Sequence, residues 1–133
     1  MKQEEKELLL KDLCGRLPYG VKVNNEIQGD FNIYGFCENL VFGRTEVCHV
    51  DFNIENIKPY LFPLSSISKE QQDELDSLGI GYGEYAFHDD IYGRGIGVDE
   101  VYKFYEWCYK NHIDFLGLID MGIAIDATNK NIY

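Results

Sequence analysis

The chain is short of positive charge: 12 Lys and Arg stand against 23 Asp and Glu, a formal net charge of -11. A surface with that balance repels phosphate backbones and anionic headgroups, so no nucleic acid and no membrane is expected as a partner. Long apolar runs are missing as well. The first residues, MKQEEKELLLKDLC, carry acids where a signal peptide needs net positive charge, and their apolar run covers only Leu8 to Leu10. No stretch approaches the roughly 18 residues that would cross a bilayer as a helix. The expected location is therefore cytoplasmic. Paired cysteines are absent too. Cys14, Cys37, Cys48 and Cys108 lie far apart with no CxxC spacing, which excludes the usual zinc clips, and the expectation is four reduced, buried thiols with no metal and no cofactor.

What is present suits a folded domain. A hydrophobic fraction of 45%, with 14% aromatic residues, separates the chain from disordered acidic sequences, and 133 residues suffice for one core, expected as a single globular domain over 1–133. The clearest periodicity runs from Val98 to Ala127. Val101, Phe104, Tyr105, Cys108 and His112 recur every three or four residues, so a helix is expected there, capped by Asp99 and ending near Asn111. His112 reads as a charged residue at the helix C-terminus. Asp114 is placed to cap a second short helix, Phe115 to Met121, stopped by Gly122, with Ile123 to Ile125 as a short strand.

Taken in order, Lys2 to Cys14 predicts a helix with Leu9, Leu10, Leu13 and Cys14 on one stripe, halted by Gly15 and Pro18. The period then changes to two. Val21 and Val23 pair in a hairpin with Phe31 to Cys37, and Asn39, Gly43 and Arg44 fall in a loop. In EVCHVDFNI, Cys48, Val50, Phe52 and Ile54 alternate with outward Val47, His49, Asp51 and Asn53. Ile57 to Leu64 predicts a fourth strand, confined to a sheet edge by Pro59 and Pro63. Ser68 and Gln71 have capping-box spacing, so a surface helix should begin there and end at Gly79. The fold class is α+β: an N-terminal helix, a three- to four-stranded antiparallel sheet able to curl toward a small, partly closed barrel, and two further helices packed on it.

Three phrases, KDLCGRLPYGVKV at 11–23, NIKPYLFPLSS at 56–66 and NHIDFLGLIDMGIAIDA at 111–127, resemble an uncharacterised family of short proteins encoded by gut bacteria of the Bacteroides group and by their phages and mobile elements. The resemblance implies no activity, cofactor or catalytic residue. Relatives tend to carry a second histidine, a Tyr-Arg pair and a proline tail where this chain has Asn111, Phe115-Leu116 and no proline after Ala127.

Chemistry-bearing residues are sparse. His49 and Asp51 share one side of a strand, and His88 with Asp89 and Asp90 forms a second polar group; convergence of His49, Asp51 and His88 would make a small metal-assisted enzyme, against the ordinary readings of a wet sheet face and a polar turn. GRGIG at 93–97 lacks the lysine and serine or threonine of a phosphate loop. Charge distribution says more. Residues 70–100 hold nine acids against Arg94 alone, -8 of the total -11, and 79–97 holds six of the thirteen glycines, read as a hairpin with arms at 85–88 and 91–92. Tyr82, Tyr85, Asp89, Asp90 and Tyr92 therefore make up the expected partner-binding residues of an acidic, tyrosine-rich face suited to a protein with a basic surface, in a non-enzymatic accessory protein. An acidic nucleic-acid mimic is the other alternative, and solubility alone is the bland one.

Overall fold

The computed structural model describes residues 1–78 and 98–133. The element order is α1 (Gln3–Arg16), β1 (Lys22–Asn25), β2 (Gly29–Cys37), β3 (Leu40–Arg44), β4 (His49–Asn53), β5 (Lys58–Pro63), α2 (Lys69–Ser77), α3 (Val98–Lys110), β6 (Ile113–Asp114) and β7 (Ile125–Asp126). The architecture is α+β, with a mostly antiparallel sheet ordered β4-β3-β2-β1-β5-β6 and β7 paired to β5. Among the described residues seven strands replace the expected three or four, and their sheet is open rather than curled into a barrel.

The meander from β1 to β4 follows from alternation. Phe31 and Ile33 in β2 and Val41 in β3 turn inward, while Asp30, Asn32 and Tyr34 face out. LVFGR at 40–44 is a strand, not the expected loop. Gly43 hides its membership from propensity, yet a side chain there would overlap the Phe31 ring on the neighbouring strand. In β4, His49 and Asp51 point to solvent and Val50 and Phe52 inward, as the alternation implies. Cys48 breaks the pattern and is exposed, because it closes a turn in which its carbonyl accepts from the Thr45 N–H at 2.9 Å and its own N–H donates to Thr45 Oγ1.

β5 lies inside the sheet, not at an edge. It pairs antiparallel with β1 through Val23 opposite Pro59, and parallel with β6 and β7. The prolines are tolerated because each ladder is only two residues long. The main-chain groups used lie between them: the Phe62 N–H donates to the His112 carbonyl and the Leu61 carbonyl accepts from the Ala127 N–H, both at 2.8 Å.

α1 runs two residues beyond Cys14, and its buried face is Leu9, Asp12, Leu13 and Arg16. Cys14 is exposed. Gly15 does not stop the helix; it removes a Cβ that would collide with the Tyr109 ring of α3. α2 carries the expected capping box, with the Ser68 hydroxyl accepting from the Gln71 N–H at 3.1 Å and the Gln71 side chain accepting from the Ser68 N–H at 2.9 Å. α3 starts at Val98, so Asp99 lies in its first turn rather than at the cap. Residues 115–121 form no helix, since Gly117 and Gly122 both have positive φ and isolate a single turn. Asp114 serves that turn, accepting from the Leu118 and Ile119 N–H groups at 2.9 Å.

Two apolar clusters result among the described residues. One joins Leu9 and Leu13 of α1 to the inner sheet face, and the other gathers Leu75, Phe104, Trp107, Cys108 and Ile113. Phe104 is 1% exposed. Phe104→Ala should therefore cost on the order of 3 to 5 kcal/mol, and His49→Ala, on the wet face, close to nothing. Denaturant melts of the two variants check this. Three of the four thiols are exposed, against the expectation of four buried ones, and burial pushes Cys108 up to about 12. A thiol reagent should accordingly label Cys14, Cys37 and Cys48 in the native protein and Cys108 only after unfolding, as peptide mapping of the labelled protein will show.

Candidate functional site

The local sequence LCGRLPY bends α1 through a single 3₁₀ turn at Leu17–Tyr19, which brings Tyr19 alongside α3. Helical spacing places Tyr102, Tyr105, Glu106 and Tyr109 together on α3. Between the two helices lies a groove of about 420 Å³ lined by Cys14, Gly15, Pro18 and Tyr19 on one side and those four α3 residues on the other. Tyr102 is 70% exposed at its rim. The Tyr19 hydroxyl donates to Glu106 Oε1 at 3.2 Å, and burial and that carboxylate raise the phenol above its ordinary value.

Behind the groove sits a charge that sequence reasoning missed. Arg16 is fully buried, and its guanidinium grips Asp12 in a two-point ion pair, Nε to Oδ2 at 2.7 Å and Nη2 to Oδ1 at 2.9 Å. The same group donates to the Ile113 carbonyl at 2.7 Å and to the Cys108 carbonyl at 3.5 Å. Its carbon lies 5.4 Å from the Tyr109 ring centre and 5.9 Å from that of Phe115. Desolvation outweighs the Arg16 interactions and holds the Asp12 carboxyl above its ordinary value. Tyr105 stacks on Phe115 with centroids 4.9 Å apart, and Tyr109 meets Phe115 edge-on at 5.4 Å, so the groove floor is a rigid aromatic layer over a neutralised cation.

His112 takes a left-handed backbone (φ 60) at the end of α3 and stacks on Tyr133, ring centres 3.5 Å apart and 8° from parallel. Its Nδ1 is buried without a hydrogen-bond partner among the described residues. Burial first, and the Arg16 charge second, push it down to about 4, so it is neutral at pH 7 and not the charged helix-end residue expected.

On the opposite kind of surface, the outer sheet face, a bulge between Ile33 and Gly35 lifts Tyr34 beside His49, with its hydroxyl 3.4 Å from Nδ1 and its ring 5.6 Å from the Arg44 guanidinium carbon. His49 and Asp51 are both exposed. Among the described residues no three His, Cys, Asp or Glu side chains converge as a metal would require. His88, the third member of the metal-assisted alternative, lies outside the described residues, as do Tyr82, Tyr85, Asp89, Asp90 and Tyr92. Cys108 is a buried thiol, and no histidine lines the groove beside Cys14.

The groove escaped the sequence reading because its two walls are more than eighty residues apart, although the spacing of Tyr102, Tyr105, Glu106 and Tyr109 was there to be seen. Comparison with protein-family models, with curated proteins and with solved structures gives no match for this chain. Among the described residues no helix is long and apolar enough to cross a membrane.

The buried imidazole has a measurable consequence. An unfolded histidine titrates near 6.5 and the folded one near 4, so its contribution is complete above 6.5 and is lost as pH falls from there toward 4. Asparagine tolerates the left-handed backbone, so His112→Asn should fold and show a flatter stability profile over that window. Denaturant melts of both proteins from pH 4 to pH 7.5 test this; parallel profiles would disprove it.

Proposed function

We propose that this chain is a small non-enzymatic binding protein, of the accessory kind carried by phages and mobile elements, which engages a protein with a basic surface through an acidic, tyrosine-rich face. The observation that carries the reading is the tyrosine-and-carboxylate groove between α1 and α3. α3 follows directly after the Gly-Tyr segment 79–97, and α2, directly before it, exposes Glu70, Asp73, Glu74 and Asp76. A second groove, lined by Glu74 of α2, Leu78 just after it, and Lys103, Trp107 and Lys110 of α3, shares Tyr19 and Glu106 with the first, so both signs of charge stand beside the carboxylate. Tyrosine supplies a large amphipathic contact with few rotatable bonds, and the surrounding carboxylates accelerate encounter with a cationic partner. Tyr82, Tyr85, Asp89, Asp90 and Tyr92 extend the same composition, and we assign them to the face.

Affinity capture from a Bacteroides-group lysate at low and high salt tests the proposal. The expected result is a basic partner whose association slows as salt rises, and whose capture Tyr82→Ala, Tyr85→Ala and Tyr92→Ala weaken with little change in melting temperature. Capture of no partner at low salt, or strong destabilisation by all three substitutions, would refute it.

A further inference from the structure

Resting on that binding reading, we infer that the α1/α3 groove is a receptor for an arginine side chain of the partner, with Glu106 as its counter-ion and the tyrosines as its walls. Among the described residues, Glu106 is the only charged side chain lining the groove, and the remaining lining is aromatic or small. A lone carboxylate flanked by aromatic rings is a poor site for an anion or a purely apolar chain, and a good one for a cation whose surface is itself flat and weakly hydrated. Guanidinium meets that description better than ammonium: it stacks on ring faces and presents a planar fork of N–H donors to a carboxylate, whereas ammonium keeps its water.

The geometry of the rim fits this role. The Tyr19 hydroxyl donates to one oxygen of Glu106 at 3.2 Å, and the second oxygen has no hydrogen-bond partner among the described residues. Tyr102, 70% exposed, provides ring surface at the mouth, while Tyr109 is anchored beneath by Phe115 and by the close approach of Gly15. The chain also solves the same recognition problem internally, since Arg16 lies against Tyr109 and Phe115 while Asp12 takes its N–H groups. The net charge of -11 draws a cationic partner toward the molecule as a whole, and the groove supplies the local specificity.

The test is an NMR titration of the full chain with a capped Gly-Arg-Gly peptide, alongside the citrulline peptide, which keeps the shape and loses the charge. Saturable shifts of the Tyr102 and Tyr109 ring signals are expected with the arginine peptide, weakened on the order of fivefold or more with citrulline. Glu106→Gln keeps an oxygen for the Tyr19 hydroxyl and removes only the charge, so it should weaken the arginine peptide similarly without moving the melting temperature. Tyr102→Phe should bind as well as the unaltered chain and Tyr102→Ala less well. Equal response to the two peptides, or indifference to Glu106→Gln, would overturn the assignment. The outcomes separate the two proposals: a lysate partner held equally by the unaltered chain and by Glu106→Gln leaves the binding reading standing and sinks the groove, whereas ring shifts with the arginine peptide and no captured partner support the groove and sink the host-partner reading.

Discussion

Among the described residues one cation, Arg16, is fully buried, and the surrounding elements meet around it. Taking a guanidinium out of water costs several kcal/mol unless its donors are met, and Arg16 meets them with one carboxylate from its own helix and two carbonyls from the far end of the chain. Those carbonyls, of Cys108 and Ile113, lie at the end of α3 and in β6, so the requirement to satisfy one side chain fixes where α1 ends, where α3 ends and how β6 enters the sheet. Removing either partner would leave an uncompensated buried charge, a loss larger than the net worth of the pair itself. It also joins the two apolar clusters, one around the sheet and α1 and the other around α3, which share no buried member.

The groove inherits its shape from that arrangement. Gly15 lets the Tyr109 ring of α3 approach α1 closely, and the rings of Tyr105, Tyr109 and Phe115 pack on one another beside it. His112, close to Arg16, is neutral and stacked on Tyr133, and the exposed His49 lies beside the Tyr34 hydroxyl.

How far the sequence revealed this depended on whether a feature was written in apolar residues. α3, the β1–β2 hairpin, the facing of His49 and Asp51, and the Ser68 capping box are all local patterns, and each was legible. α1 was recognised but phased one residue off, because two of its four buried positions are Asp12 and Arg16, which a hydrophobicity pattern assigns to water. β3 was hidden by Gly43, whose purpose is visible only when Phe31 lies over it. Pro59 suggested an edge strand, but a ladder of two pairs asks for so few donors that a proline can sit inside it. His112 was misassigned for a related reason: the helix end invites a positive charge, while burial beneath Tyr133 and the nearness of Arg16 forbid one.

The distance in sequence between Arg16 and its acceptors bears on how the chain comes to be folded at all. The strands from β1 to β4 close onto their immediate neighbours and can form as soon as they are made. The carbonyls that Arg16 needs are 92 and 97 residues away. During synthesis α1 can lay Leu9 and Leu13 on the young sheet, but burying its last turn then would strand a guanidinium with only Asp12 for company. Closing the Arg16 site therefore depends on contacts of long sequence separation, whose loop-closure cost the local strand pairings do not carry.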